Sequence, residues 1–292
     1  KLINKLIKNH NINECILLNF NYYFFSIVFY SINVERLSAI YYLPHFYDKN
    51  LNLVKKKLKN FIFRLVQART NLTVFILNDK LTVNKLNKQF KNNFKVLSDP
   101  VVKNTIVPAN NKNKTTNFLF IGEISERKGI YILLKALESF SFHNQHFNFS
   151  IAGNAPTNKD KIAKRISKIK NKNPDLINFF KLDRISDKMF DELMHKSDVI
   201  LCLHQITEGS SGIIGKAILH NKIIIGPNTG LMSRIILNNK LGIITDVTCY
   251  KSLINEIRTY STNRDKYSID KKIRDEYLKN HSPEKFVKEL FD

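Results

Sequence analysis

Six short runs of β-branched and aromatic residues, each followed by a stretch with helical periodicity, constrain the fold of residues 115–260. Strands and helices that alternate in this way form a parallel sheet whose faces are covered by the helices. The predicted strands are Asn117–Ile121, Asn148–Ala152, Leu176–Lys181, Val199–Leu203, Ile223–Ile225 and Gly242–Thr245. We therefore predict a doubly wound α/β domain, in which ligands bind beyond the carboxyl ends of the strands.

The first third of the chain carries a shorter set of the same elements. The predicted strands there are Glu14–Leu18, Leu37–Tyr42, Leu72–Leu77 and Phe94–Leu97. The run Cys15–Ile32 approaches the length of a membrane span, but Asn and Ser interrupt it, so we interpret it as a buried strand, a turn and an apolar helix. The segment Ser98–Lys114, with two prolines and an Asn/Lys cluster, is typical of a linker. We therefore predict two domains, residues 1–107 and 108–292.

The cysteine content and the first residue bear on the setting of the protein. Three cysteines without a CxxC pair argue against a disulfide framework and against a structural zinc site. They are typical of a reducing compartment, so we expect a cytoplasmic protein. Because the chain begins with Lys and no signal peptide precedes its first apolar run, we expect it to be a piece of a longer protein.

The chain is strongly basic, with a formal net charge of +22. Residues 1–107 carry 17 Lys and Arg against 5 Asp and Glu, and no acidic residue occurs from Lys49 to Asn78. A field of this sign favours nucleic acid, phospholipid head groups or phosphorylated small molecules. Solvated lysines in a Lys- and Asn-rich chain explain it equally well. No nucleic-acid-binding module is evident, so we expect no nucleic-acid partner.

One basic helix is predicted from its apolar spacing. Val54, Leu58, Phe61, Ile62 and Leu65 recur at i, i+4, i+7, i+8 and i+11, which predicts the apolar face of a helix. Its lysines lie in the first turns, where they oppose the helix dipole. That unfavourable placement would suit an anionic membrane surface, and an ordinary surface helix is the alternative interpretation.

Two loops that follow predicted strands contain glycines and polar residues. The first runs from Gly122 to Gly129 and enters a helix, whose backbone N–H groups and dipole favour an anion, and Lys128 adds a positive charge there. It contains no dinucleotide fingerprint and no P-loop. The second loop contains Gly153 and Asn154, and the glycine indicates either the close approach of a ligand or a tight turn.

The third loop is the most informative of the three. A carboxylate, Glu208, precedes a run of small residues that leads into an apolar helix and ends at Lys216. The small residues Gly209, Ser210, Ser211 and Gly212 leave the helix N-terminus open for a phosphate. Glu208 would repel that phosphate but could accept hydrogen bonds from a sugar hydroxyl. A phosphate site beside a carboxylate that accepts hydrogen bonds from hydroxyls is the arrangement expected of a sugar-nucleotide site. The alternative is that Ser211 or Gly212 is an ordinary helix cap.

Several segments, in this order and spacing, resemble the carboxyl-terminal domain of the glycosyltransferase family 4 type. They read FLFIGEISERKGIYILLKAL, FNFSIAGNAP, KSDVILCL, EGSSGIIGKA and NKIIIGPNTGLMSRIILNNKLG, and Asn280–Leu290 is similar to the tail helix of the family. The resemblance implies the GT-B fold, with two Rossmann-like domains that face each other across a cleft. Residues 14–105 look like the second half of the amino-terminal domain, so we expect that domain to be partial here.

The resemblance also implies roles for individual residues. Lys128 would bind the donor diphosphate, and Glu208 would contact the transferred sugar as the first acid of the E-x7-E motif. Gly209 to Gly212 would hold phosphate, and His45 matches a strand-end histidine near the sugar. The family transfers sugar from UDP- or GDP-sugars with retention, usually without a metal. No DxD motif is evident here, so we expect neither metal nor cofactor.

Two positions depart from the family pattern. Glu123 stands where the family usually has a diphosphate-binding Arg, and we expect Arg127 to replace that cation. Lys216 stands where the second acid of E-x7-E falls, and it could pair with phosphate but cannot accept ribose hydroxyl hydrogen bonds.

Two functions remain open at this stage. The first is an active glycosyltransferase that serves a glycan or lipid-linked acceptor in polysaccharide, capsule or lipopolysaccharide synthesis. Such an enzyme would act in the cytoplasm, docked peripherally on the inner face of the membrane. The alternative is a degenerate homologue that binds a nucleotide sugar or a partner without turnover.

Overall fold

The strands that the structure describes run parallel in two separate sheets, one of four strands and one of six. The structure is a computed structural model and describes residues 2–29, 32–42, 52–69, 72–90, 93–102, 115–140 and 147–291. Its contacts divide the chain into two compact units. The first unit is Lys1–Asp99 with Glu208–Ser210 and Glu284–Asp292, and the second unit is Pro100–Thr207 with Ser211–Pro283.

The four-stranded sheet belongs to the first unit and has the order β1-β2-β3-β4. Its strands are β1 (Glu14–Leu17), β2 (Arg36–Ile40), β3 (Leu72–Leu77) and β4 (Phe94–Leu97). Its helices are α1 (Leu2–Asn9), α2 (Phe20–Tyr23), α3 (Ser26–Phe29), α4 (Leu53–Arg69) and α5 (Lys80–Gln89). The predicted strands are thus present. The run Cys15–Ile32 contains a strand and two short helices, and no described helix is long and apolar enough to cross a membrane.

The second unit holds the six-stranded sheet, with the order β10-β9-β8-β5-β6-β7. Its strands are β5 (Thr116–Ile121), β6 (Phe147–Ala152), β7 (Ile177–Lys181), β8 (Val199–Leu201), β9 (Ile223–Pro227) and β10 (Gly242–Thr245). Its helices are α6 (Ile130–Ser139), α7 (Lys159–Lys172), α8 (Asp187–Lys196), α9 (Gly212–Leu219), α10 (Gly230–Asn238), α11 (Tyr250–Thr262) and α12 (Lys271–Asn280), and α13 (Pro283–Phe291) follows. This is the doubly wound sheet that the alternating pattern predicts.

The strand order of the second sheet reverses between β5 and β8, which pair at Phe118–Val199 and Leu119–Ile200. β5 continues to β6 and β7 on one side, whereas β8 continues to β9 and β10 on the other. In open α/β sheets, ligands bind at the carboxyl ends of the two strands where the order reverses. The loops after β5 and β8 therefore occupy the expected ligand position.

The unit boundaries differ from the predicted division at residue 107. The first crossing between units falls at Asp99–Pro100, and residue 107 lies outside the described residues. Residues 284–292, predicted to end the second domain, belong to the first unit. There Leu290 is buried against Phe75 and Leu97 of the first sheet, so burial of an apolar helix face determines the grouping.

The predicted apolar face of α4 is largely exposed, and other residues of the helix are the buried ones. The side chains of Val54, Leu58 and Phe61 are 75%, 55% and 59% exposed, whereas Phe63 and Val66 are fully buried. Ile62 and Leu65, the other two residues of the predicted apolar face, are partly buried. Phe63 lies in an aromatic cluster with Phe20, Phe24, Phe90 and Phe94, at centroid distances of 5.2–6.0 Å. This cluster fixes which side of α4 faces the sheet.

Candidate functional site

A cavity of about 350 Å³ lies in the second unit at the carboxyl ends of β5 and β8. Pockets for small molecules typically begin at about 300 Å³. Its polar lining comes from the loops after these two strands and from the start of α9. The lining includes Gly122, Glu123, Lys128, His204, Ser211, Gly212 and Lys216. The structure thus brings together five predicted substrate-binding residues and Lys128, and adds His204, which the sequence analysis did not consider.

Backbone contacts hold the two loops against each other. Gln205 N donates a hydrogen bond to Arg127 O at 2.9 Å. Gly129 has φ +90°, and a Cβ at that position would lie 2.1 Å from Leu203 O. A side chain at residue 129 would therefore force the loops apart, and with them Lys128 away from the loop after β8.

Lys128, like Lys216, lines this cavity, and its ammonium contacts a buried histidine. Lys128 Nζ lies 2.5 Å from His204 Nε2. Burial lowers the pKa of Lys128, and the nearby positive charge of Arg127 lowers it further. An ammonium in partly desolvated surroundings gains more from an anionic partner than one in water does.

His204 follows β8 and is only 4% exposed. Burial lowers the pKa of His204 to about 3, and the charges of Lys128 and Arg127 act in the same direction. The ring is therefore neutral near pH 7. Its Nδ1 lies 3.3 Å from Cys202 Sγ, and burial raises the pKa of that thiol to about 12. A histidine just beyond a predicted strand end was the available signal for this residue, but nothing in the sequence showed that it meets Lys128.

The N-terminus of α9 faces the same cavity. Ser211 occupies the N-cap position, but in the described part of the chain its side chain makes no capping hydrogen bond. Its Oγ lies 3.1 Å from His204 Nε2 instead. A Cβ built at Gly212 meets no described heavy atom within 4 Å. Ser211 is therefore the N-cap residue by position, but its hydroxyl does not satisfy the first N–H groups of α9, which keep their capacity for an anion.

The exposed pair Glu123 and Arg127 accounts for one departure from the family pattern. Arg127 Nη2 lies 3.2 Å from Glu123 Oε1, and Ser125 Oγ donates to the same oxygen at 2.6 Å. The hydrogen bond from Ser125 lowers the pKa of Glu123, and the charge of Arg127 contributes in the same direction. Arg127 is thus paired with the acidic side chain that stands in place of the family's arginine.

Gly153 and Asn154 are not among the residues that line the cavity. Gly153 has φ +139°, and a Cβ there would lie 1.6 Å from Gly122 O. Asn154 is exposed, and its carbonyl accepts a hydrogen bond from Ile124 N at 2.8 Å. Glycine is thus required at 153 by the close approach of the Gly122 backbone, which is neither the ligand contact nor the tight turn that the sequence left open.

Lys216 lies on α9, and its ammonium is already engaged. Its Nζ donates a hydrogen bond to Val102 O at 3.1 Å. A Cβ at Gly215 would lie 2.5 Å from a methyl carbon of Val101, so the 100–102 segment is packed closely on this helix. The structure therefore accounts for a lysine here by a contact with backbone.

The remaining predicted site residues are not among those that line the cavity. Glu208, Gly209 and Ser210 belong to the first unit, where Glu208 is partly buried. Ser210 Oγ donates to Asp99 Oδ2 at 2.7 Å and accepts from Asn78 Nδ2 at 3.0 Å. His45 lies outside the described residues. Among the residues that are described, no three His, Cys, Asp or Glu side chains form a metal-binding cluster.

Comparison with solved structures shows the fold. Sucrose-phosphate synthase from Thermosynechococcus elongatus aligns with a TM-score of 0.70 and 12% identity, over 98% of this chain and 74% of that one. HepE from Anabaena, crystallised with UDP and glucose, aligns with a TM-score of 0.71 and 14% identity, over 99% of this chain and 79% of that one. A glycosyltransferase from Rickettsia africae aligns with a TM-score of 0.69 and 17% identity, over 98% of this chain and 77% of that one.

Comparison at the level of sequence gives the family. No curated protein matches the chain. The family model described as glycosyl transferases group 1 matches residues 102–276, which contain the whole six-stranded sheet and the residues that line the cavity except Pro100 and Val101. The two parallel sheets agree with the GT-B fold of the structural neighbours. The chain therefore belongs to the glycosyl transferases group 1 family and is a glycosyltransferase of GT-B fold.

Proposed function

We propose that this glycosyltransferase takes its sugar from a UDP- or GDP-sugar whose diphosphate binds between Lys128 and the start of α9. The observation that carries the proposal is the orientation of Ser211, whose hydroxyl points to His204 and leaves the helix start uncapped beside a lysine. Backbone N–H groups and an ammonium on one cavity are the two anion-binding devices that a diphosphate needs. HepE, similar in fold, was crystallised with UDP-glucose.

The transfer itself requires stabilisation of the departing diphosphate. As the bond between the sugar and the phosphate oxygen breaks, its electron pair goes to that oxygen, and Lys128 and α9 stabilise the developing charge. We propose retention of configuration, with Glu208 accepting a hydrogen bond from the sugar and His45 contacting the sugar or relaying a proton. These cationic groups take the place of a metal, so we expect chelators to leave activity unchanged.

We propose that the acceptor is a cell-surface polysaccharide or glycolipid and that the enzyme works on the cytoplasmic face of a membrane. The support is the exposed stripe of α4, formed by Val54, Leu58 and Phe61. Lys55 and Lys57, both exposed, flank it, and residues 49–78 carry no acidic side chain. An exposed apolar stripe between lysines suits the interface of an anionic membrane.

The donor proposal is tested by thermal unfolding of the chain with UDP, GDP, ADP, their monophosphates and their sugar conjugates. We expect one diphosphate to raise the unfolding temperature selectively. A ligand at a hundredfold excess over its Kd adds about 2.7 kcal/mol to the free energy of unfolding. Lys128→Ala should remove most of that rise. Lys161→Ala, which changes an exposed lysine on α7, is the matched control. An equal rise in wild type and Lys128→Ala would overturn the assignment of Lys128.

A second candidate function is a homologue that binds a nucleotide sugar or a partner without turnover. The pairing of Arg127 with Glu123 and the contact of Lys216 with Val102 O favour it, because both use cations that a donor would otherwise engage. Binding of a sugar nucleotide without sugar transfer or hydrolysis would support this candidate. Turnover by the full chain would eliminate it.

A further inference from the structure

Among the described residues that line the cavity, His204 is the buried titratable side chain that the proposed reaction does not use. It is packed between Cys202, Lys128 and Ser211, and each of these places a polar atom within 3.3 Å of a ring nitrogen. An apolar side chain of similar volume would fill the same space without these contacts. The polar character of residue 204 therefore calls for an explanation other than packing.

The neighbours of the ring determine its tautomer. An ammonium can only donate, so the ring nitrogen that faces Lys128, Nε2, must present a lone pair. The neutral ring then carries its proton on Nδ1, which faces Cys202 Sγ, a weak acceptor. Because the Cys202 thiol stays protonated, no thiolate competes for the ammonium.

We propose that His204 is a positioning residue whose Nε2 lone pair holds the Lys128 ammonium at the cavity, ready for the β-phosphate of the donor. This inference rests on the proposed function, since it assigns the partner that orients the diphosphate-binding lysine. The lysine side chain has four flexible bonds, and ordering it on binding costs conformational entropy. A lysine that is held in place before the donor arrives avoids that cost at the binding step.

Ser211 contacts the same nitrogen, at 3.1 Å against 2.5 Å for the ammonium. One lone pair accepts one strong hydrogen bond, and the charged donor makes the stronger one. The Ser211 hydroxyl is therefore the weaker partner of His204. It is the group that an arriving phosphate oxygen can engage while the Lys128–His204 contact persists.

The experiment measures the Kd of the full chain for a nucleoside diphosphate and for its monophosphate by calorimetry. The variants are His204→Leu, His204→Gln, Lys128→Ala and the double variant that combines His204→Leu with Lys128→Ala, and His10→Leu serves as an exposed histidine control. We expect His204→Leu to weaken diphosphate binding about tenfold and monophosphate binding less than about twofold. His204→Gln keeps an acceptor at this place and should restore most of the affinity. In the Lys128→Ala background, His204→Leu should have no further effect.

The outcomes separate this inference from the proposed function. Loss of affinity for both nucleotides alike, or full additivity in the double variant, would mean that His204 acts on packing and would overturn the inference. If Lys128→Ala binds the diphosphate as wild type does, the proposed function fails instead. Nitrogen-15 chemical shifts of the wild-type imidazoles give a test that needs no variant to fold. We expect His204 to show a protonated Nδ1 and a bare Nε2, and a protonated Nε2 would refute the inference.

Discussion

Two basic helices, α4 of the first unit and α7 of the second, carry apolar residues at the same spacing but use them in opposite ways. On α7, Ile162, Ile166 and Ile169 recur at i, i+4 and i+7 and are at most 3% exposed. On α4, Val54, Leu58 and Phe61 have the same spacing and are at least 55% exposed. Periodicity therefore identifies a helix and its apolar stripe, but it does not tell whether that stripe faces the sheet.

The two helices differ in the residues that lie outside the apolar stripe. On α4 the aromatic cluster requires Phe63, which is about 180° around the helix from the 54–58–61 stripe at about 100° per residue. α7 is polar or charged on its other faces, so its single stripe is the buried one. On α4 the buried set is therefore the one that contains Phe63, the centre of the aromatic cluster.

The largest expected effect separates the two faces of α4. Phe63→Ala should lower the free energy of unfolding by about 4 kcal/mol, because it empties the centre of the aromatic cluster. Phe61→Ala, two residues away, should change it by less than about 0.5 kcal/mol. Urea denaturation followed by circular dichroism measures both, and similar losses for the two variants would contradict the assignment of the buried face.

The next effect compares matched positions of the two helices. Ile166→Ala should cost about 3 kcal/mol, since it leaves a cavity under α7. Leu58→Ala, at the corresponding middle position of the stripe on α4, should cost less than about 0.5 kcal/mol. The same denaturation assay applies, and a loss at Leu58 as large as that at Ile166 would show that both stripes are buried.

Lowering the pH should destabilise the folded chain through protonation of His204, which is buried in the second unit. His204 has a pKa of about 3 when folded, below the ordinary value of about 6.5, so between these pH values the unfolded chain binds the extra proton. Stability is therefore lost as the pH falls below about 6.5, and this one group should account for about 2 kcal/mol between pH 7 and 5. His204→Gln should remove that part of the pH dependence. An unchanged acid profile in the variant would show that the folded and unfolded chains protonate His204 alike, and would contradict a lowered pKa of this buried ring.

The smallest effect concerns the exposed stripe itself. Leu58→Ser should weaken binding of the chain to vesicles of anionic lipid by about tenfold, or roughly 1.4 kcal/mol, through loss of buried apolar area. Binding should also weaken with added salt because of the flanking lysines. Thr73→Ser, a partly buried position on β3, serves as a control that should bind as wild type does. Equal vesicle binding by wild type and Leu58→Ser would contradict membrane docking through this stripe.

Much of the second unit could be predicted because its signals are local. Each strand run and the helix after it lie within one short stretch, and their alternation fixes a parallel sheet, so Lys128, Gly212 and Lys216 were expected at its carboxyl edge. The confirmed family and fold rest on the same local segments.

The errors and omissions depend on contacts between distant parts of the chain. Ser210 meets Asp99, 111 residues away, and His204 meets Lys128, 76 residues away. The role of Gly153 depends on where the Gly122 carbonyl lies. No periodicity or motif encodes such pairs, and only the assembled sheet brings them together.

The return of α13 to the first unit has a consequence for synthesis on the ribosome. Ser98, just after the last strand of the four-stranded sheet, has its backbone N–H and hydroxyl bonded to the carboxylate of Glu289, 191 residues later. At about 5–20 residues per second, that interval corresponds to about 10–40 s of translation. The unit whose strands emerge first is thus completed last. During this interval Leu290, which packs against Phe75 and Leu97, has not yet been made, and a chaperone would find this part of the sheet's apolar face uncovered.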